Sequence, residues 1–251
     1  MGYVIAMAGK GGTGKTTIAA LITRLIKEKK LGSVLAVDAD PNSNLAECLG
    51  LKVKATVGKI LDDIAAAPGK IPSGMPKETF IEYEVQTAVS EGEGFDVLTM
   101  GRPEGPGCYC YVNNVLRNIM GRLINNYDFV IIDNEAGLEH LSRRTTRRAD
   151  TLLVISDASK VGLKSAKRIN ELTKELDIKI GNSFLLLNRK TEDVGDNLIQ
   201  ESGLEHLGDI PIDVEITKIS LNGNSMMELR QDSLSLKRLE QIGDKIWRRN
   251  Q

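Results

Sequence analysis

The stretch GKGGTGKT, Gly9 to Thr16, constrains this chain more than any other. It meets the pattern G-x-x-x-x-G-K-[ST] with Gly9, Gly14, Lys15 and Thr16. Glycines in such a loop let the backbone curl until consecutive N–H groups point at phosphate oxygens. Lys15 is then expected on the β- and γ-phosphates, with the Thr16 hydroxyl on Mg2+ and Thr17 beside it. Lys10, Gly11, Gly12 and Thr13 complete the expected phosphate contacts. The context fits: the buried-strand run YVIAMA (3–8) precedes the loop. A segment with Ile18, Ile22, Leu25 and Ile26 on one helical face follows it. The helix N-terminus adds its own attraction for an anion. ATP hydrolysis is the expected chemistry.

Further along, strand-like runs alternate with helix-sized segments: SVLAVD (33–38), FDVLTM (95–100), FVIID (129–133), TLLVIS (151–156) and SFLLLN (183–188). That alternation predicts an α/β fold, a mostly parallel twisted sheet with helices on both faces. A length of 251 residues suits a single domain over 1–251. The polar, Pro/Gly-punctuated stretch 66–94 reads as an excursion containing an edge hairpin, and 234–247 as a closing amphipathic helix.

The bulk properties exclude several classes. A formal net charge of −1 argues against a broad nucleic-acid surface. No apolar run reaches the roughly 18–20 residues of a membrane span. The N-terminus has no basic n-region before its functional loop, so no signal peptide is expected and the location is cytoplasmic. Three cysteines, Cys48, Cys108 and Cys110, and two histidines, His140 and His206, fit free thiols in a reducing compartment.

Carboxylates stand at the strand ends, where α/β sheets bind ligands. Asp38 and Asp40, in VDADPN, can orient an attacking water; Asp133, closing FVIID, can hold Mg2+. The competing use of each is helix capping. Lys10 is a second loop cation too close to Lys15 to share its phosphate comfortably. Its natural use is to reach a partner subunit's nucleotide, the alternative being a solvated lysine. Cys108 and Cys110, in GCYCY, can turn both sulfurs to one side of an extended segment. Two thiolates suit Zn2+, Ni2+, Cu+ or an iron–sulfur cluster, and a two-fold axis can supply two more. Buried, inert cysteines are the alternative there, and Cys48 among its leucines reads as a core residue.

Taken together, KGGTGKT, DADPN and FVIIDNEAG resemble the deviant Walker A ATPases, the group of MinD, ParA and the nitrogenase iron protein. More narrowly, VDADPNSNL, MGRPEGPGCYCYVNN, IIDNEAGLEHLSRRT and LLLNR are similar to the CooC-type accessory proteins that insert nickel into carbon monoxide dehydrogenase. They are also very similar to the AcsF-type proteins serving acetyl-CoA synthase. The resemblance implies a homodimer dependent on ATP and metal, with Lys10 acting in trans. It places Asp40 on the attacking water with Asp38 as its strand-end neighbour. Asp133 would open the second switch, followed by Asn134 and Glu135. Asn188, with Arg189 beside it, would read the adenine edge under a loop of Pro211, Ile212 and Asp213. Cys108 and Cys110 would bind Ni2+, with Zn2+ competing, for a client nickel enzyme. Thr13 departs from the valine or isoleucine commoner in these loops. A membrane-docking reading attaches to the stripe Leu236, Leu239, Ile242 and Ile246, flanked by Lys237, Arg238, Lys245, Arg248 and Arg249. An iron-protein-like electron carrier is disfavoured because DNEAG carries no cysteine, and an iron–sulfur scaffold because no C-terminal CxxC occurs.

Overall fold

The computed structural model describes residues 2–102, 110–135, 137, 148–176, 178–190 and 195–247, and for 110–114 the backbone alone. Eight strands form one sheet: β1 (Tyr3–Ala8), β2 (Val34–Asp38), β3 (Ser90–Glu91), β4 (Asp96–Thr99), β5 (Phe129–Asp133), β6 (Arg148–Ser156), β7 (Lys179–Lys190) and β8 (Glu205–Pro211). Their order is β3-β4-β2-β5-β1-β6-β7-β8. Every pairing is parallel except that of β3 with β4, so the expected α/β architecture is what the chain adopts. After β1 the chain builds toward β4, returns to β5 at the side of β1, and continues from β6 on the other side. The loop after β1 therefore leaves the sheet where the winding direction reverses, the place where open α/β sheets bind ligands.

Strand alternation explains why these runs are apolar throughout. Val4, Ala6 and Ala8 enter one core; Ile5 and Met7 enter the other. Both faces are covered, so both sets of side chains must be apolar. Helices α3 (Val57–Ala66), α4 (Lys77–Ala88), α5 (Cys110–Ile124) and α6 (Lys160–Glu175) cover the first face. On the second lie α1 (Lys15–Glu28), the short α2 (Leu45–Cys48) and the last helix. A further helix, α7 (Asp196–Glu201), precedes β8; α8 (Val214–Asn222) and α9 (Leu234–Trp247) follow it.

The chain departs from its sequence pattern in the excursion over 66–94 and in the last strand. The excursion over 66–94 is mainly helical: α4 packs on α3 and α5 through Ile81, Val85 and Ala88. The edge hairpin is only the two-residue β3 against β4. Strand β8 was not expected at all. The stripe on α9 is docked: Leu236, Leu239 and Ile246 are all at most 1% exposed and belong to the second core. Its burial leaves the membrane-docking reading without an apolar face; the flanking Arg248 and Arg249 lie outside the described residues. Among the described residues no helix is long and apolar enough to cross a membrane.

Candidate functional site

The phosphate loop runs from the end of β1 into α1. Gly9 has φ 151° and a Cβ there would meet the Ile155 carbonyl oxygen of β6, so only glycine lets the loop lie against that strand. Gly14, at φ 93°, is the N-cap of α1, and a Cβ on it would strike the Asn188 amide. No side chain caps α1 and no acidic residue stands in its first turn. The first N–H groups of the helix are thus left for an anion.

Lys15 is buried, and its ammonium donates to the carbonyls of Gly9 at 3.2 Å and Lys10 at 3.3 Å. The loop's own backbone oxygens hold the charge. The Lys10 side chain is exposed. Thr13, 5% exposed, donates its hydroxyl to the Lys10 carbonyl at 2.9 Å.

Asp133 ends β5 directly across from Asp38 at the end of β2. The Thr16 hydroxyl donates to Asp133 Oδ2 at 2.6 Å. Asp133 Oδ1 and Asn134 Oδ1 are buried and find no hydrogen-bond partner among the described residues. Orphaned buried acceptors call for an explanation, and an ion with its water shell provides one. A hydroxyl and a carboxylate at the loop are hard oxygen donors, so this set fits Mg2+. Burial, with Asp40 nearby, pushes the Asp133 carboxyl up to about 6 against the opposing pull of Thr16 and Lys15. A cation would reverse that shift.

Asp38 is fully buried. Its Oδ2 accepts the Leu45 N–H at 2.8 Å and its Oδ1 the Asp40 N–H at 3.2 Å. It thereby ties the turn carrying Asp40 to the first turn of α2. Burial, and secondarily Asp133 and Asp40, push it up to about 7, partly offset by those N–H bonds. Asp40 is partly exposed, and its Oδ1 accepts both the N–H and the side-chain amide of Asn42 at 2.9 Å.

Beside the loop a cavity of about 420 Å3 is lined by Thr17, Asn188, Arg189, Pro211, Ile212 and Asp213, with Ile216, Thr217, Ser220 and Leu221 from α8. The five residues expected at the base from the sequence, Asn188, Arg189, Pro211, Ile212 and Asp213, line this one cavity, joined by Thr17 from the phosphate loop's helix. The Asn188 amide donates to the Thr13 carbonyl at 2.8 Å, and Arg189, at φ 55°, reaches the Gly12 carbonyl at 3.3 Å. Asp213 lines the cavity, but its carboxylate is engaged elsewhere. It accepts Glu215 N–H at the start of α8, the Ser233 hydroxyl at 2.6 Å and Ser235 N–H in the first turn of α9. The α8 residues were missed because nothing in their spacing points to a ligand.

Cys108 lies outside the described residues; Cys110 opens α5, with its side chain undescribed. His140 is likewise outside, and His206 pairs with Asp209 at 2.8 Å.

A family model described as "AAA domain" matches residues 2–185. The chain belongs to this AAA-domain family. An uncharacterized ATP-binding protein of Methanocaldococcus jannaschii is 44% identical over 248 residues, 97% of this chain and 98% of that protein. The carbon monoxide dehydrogenase accessory protein CooC of Rhodospirillum rubrum is 28% identical over 236 residues, 90% of this chain and 89% of that one. Among solved structures, the cell division ATPase MinD of Pyrococcus furiosus superposes with a TM-score of 0.72 at 22% identity. That match covers 98% of each chain and shows the shared fold. This AAA-domain protein is an ATP-binding P-loop ATPase of MinD/ParA-like fold.

Proposed function

We infer that the protein is a nickel metallochaperone driven by ATP, which closes as a homodimer around two nucleotides and a shared Cys-x-Cys metal site. The observation that carries this reading is the pair Cys108 and Cys110, whose second cysteine opens α5. The strand before α5, β4, ends at the same edge of the sheet from which the phosphate loop leaves β1. The likeness to a carbon monoxide dehydrogenase accessory protein supports the reading and points to that enzyme as the client.

In the proposed cycle the nucleotide's base enters the cavity beneath α8, against Asn188 and the 211–213 segment. Its phosphates take the N–H groups of the loop and of the first turn of α1. Lys15 then exchanges the carbonyls of Gly9 and Lys10 for phosphate oxygens. Thr16 and Asp133 would hold Mg2+, which when bound neutralises charge on the β- and γ-phosphates. Asp40 orients the water that attacks the γ-phosphorus, and Asp38 holds Asp40 in place. Lys10 of each protomer reaches the partner's nucleotide, where charge builds as the bond to the leaving ADP oxygen breaks. ATP and water yield ADP and phosphate.

Nickel is cargo. Two thiolates per protomer give four across the two-fold axis, a set that also accepts Zn2+. Coupling requires only that ATP and metal favour the same closed dimer and that ADP favours an open one.

Anaerobic Ni2+ titration of the wild type and of the Cys108→Ala/Cys110→Ala protein tests the metal assignment. The double variant should lose tight nickel binding while retaining MgATP; equal nickel affinity in both proteins overturns the reading. Lys10→Ala should keep nucleotide binding and lose turnover and ATP-dependent closure. Unchanged turnover in a strictly monomeric Lys10→Ala protein contradicts action in trans.

A further inference from the structure

Thr13 stands where the loop cation and the base cavity meet. Its hydroxyl and its N–H both donate to the Lys10 carbonyl, at 2.9 and 3.4 Å. Its own carbonyl accepts the Asn188 amide at 2.8 Å. A single residue thus connects the end of β7, which lines the base cavity, to the backbone of the one exposed lysine in the loop. The Lys10 oxygen also takes the Lys15 ammonium at 3.3 Å. When Lys15 leaves for phosphate, the Thr13 hydroxyl becomes the remaining side-chain donor on that oxygen among the described residues.

We propose that Thr13 is a positioning residue for hydrolysis, fixing the Lys10 backbone through its hydroxyl and linking that backbone to occupancy of the base cavity through Asn188. The inference rests on Lys10 acting on a partner's nucleotide. The side chain is buried and its hydroxyl has one acceptor, so the bond is not traded for water. Its loss leaves the Lys10 carbonyl, among the described residues, with only the longer Thr13 N–H bond at 3.4 Å once Lys15 has turned to phosphate, in a stretch flanked by Gly9 and Gly11. A misplaced Lys10 costs turnover more than ground-state binding, because its work falls where charge develops.

The test compares Thr13→Val, which keeps the shape and removes the hydroxyl, with Thr13→Ser, which keeps the hydroxyl. Both are also built on Lys10→Ala. Steady-state ATP hydrolysis and MgADP affinity are measured on the full chain. Thr13→Val should lower kcat about threefold to tenfold, the worth of one such bond. Its ADP affinity should stay within about twofold, because the Thr13 carbonyl still holds Asn188. Thr13→Ser should restore kcat, and neither change should add to the loss in Lys10→Ala.

Wild-type kcat in Thr13→Val overturns the inference. So does a fall in ADP affinity as large as the fall in kcat, which would make Thr13 part of the cradle. Full additivity with Lys10→Ala overturns it too. A Lys10→Ala protein with wild-type turnover removes the role of Lys10 and this inference with it. Loss of turnover in Lys10→Ala but not in Thr13→Val removes this inference alone.

Discussion

At the scale of single residues, the site is governed by two buried carboxylates, Asp38 held by backbone N–H groups and Asp133 by the Thr16 hydroxyl. Burial above all pushes the Asp38 carboxyl from its ordinary 3.8 up to about 7. Between those values the folded chain binds the extra proton, so this group stabilises the fold at low pH and its contribution fades as pH rises through 7. Protein free of metal and nucleotide should therefore melt at progressively lower temperature from about pH 4 to pH 7. Asp38→Asn should flatten that slope, and a slope unchanged by the substitution would refute the assignment. Cys48 offers a second check. Burial first, then the charges of Asp133, Asp38 and Glu47, push its thiol up to about 12. In Cys108→Ala/Cys110→Ala protein at pH 8, iodoacetamide should label native Cys48 about a hundredfold or more slowly than the unfolded chain. Similar rates would show that the thiol is not shielded. Cys48 is half-buried and packs against the second core rather than lying fully inside it as its leucine-rich surroundings suggest.

At the scale of elements, the phosphate-loop helix is tied to the far end of the chain by one buried arginine. Arg24 on α1 is 3% exposed and donates to the carbonyls of Met226 and Leu229, with Glu28 on its Nε at 2.7 Å. Arg24→Ala strands those two buried carbonyls and should cost about 2–4 kcal/mol in urea denaturation. Glu28→Gln, on the partly exposed side of the pair, should cost under about 1 kcal/mol. A near-neutral Arg24→Ala would contradict the clamp. The elements differ in how far their sequence announces them. Strands β1, β2 and β5 are continuous apolar runs because both faces are covered, and each ends on a functional loop or carboxylate. Strand β8, EHLGDIP, sits at the sheet edge and buries chiefly Leu207 and Ile210, too sparse a pattern to separate from a turn. Helix α4 inserts Ile81, Val85 and Ala88 at helical spacing, but in a polar stretch that mimics a loop. In the site, Gly9 to Thr16 are legible because a phosphate cradle requires local spacing. The commitment of Asp213 to Ser233 and Ser235 is not, because it depends on α9 meeting the end of β8.

At the scale of the whole molecule, the proposed function puts nucleotide and metal on one symmetric assembly. The sheet brings the loop after β1 and the Asp40 turn after β2 to a single edge, the edge at which β4 also ends. A two-fold axis across that edge would let Lys10 meet a second nucleotide and let the two cysteine pairs meet each other. The most direct test is the nickel content of the protein separated by size under anaerobic conditions with a slowly hydrolysed ATP analogue and Mg2+. The account requires a dimer carrying one nickel per two chains, with both dimer and metal diminished in Cys108→Ala/Cys110→Ala and the dimer lost in Lys10→Ala. A monomer carrying its own nickel, or a nucleotide-closed dimer that holds none, would contradict it.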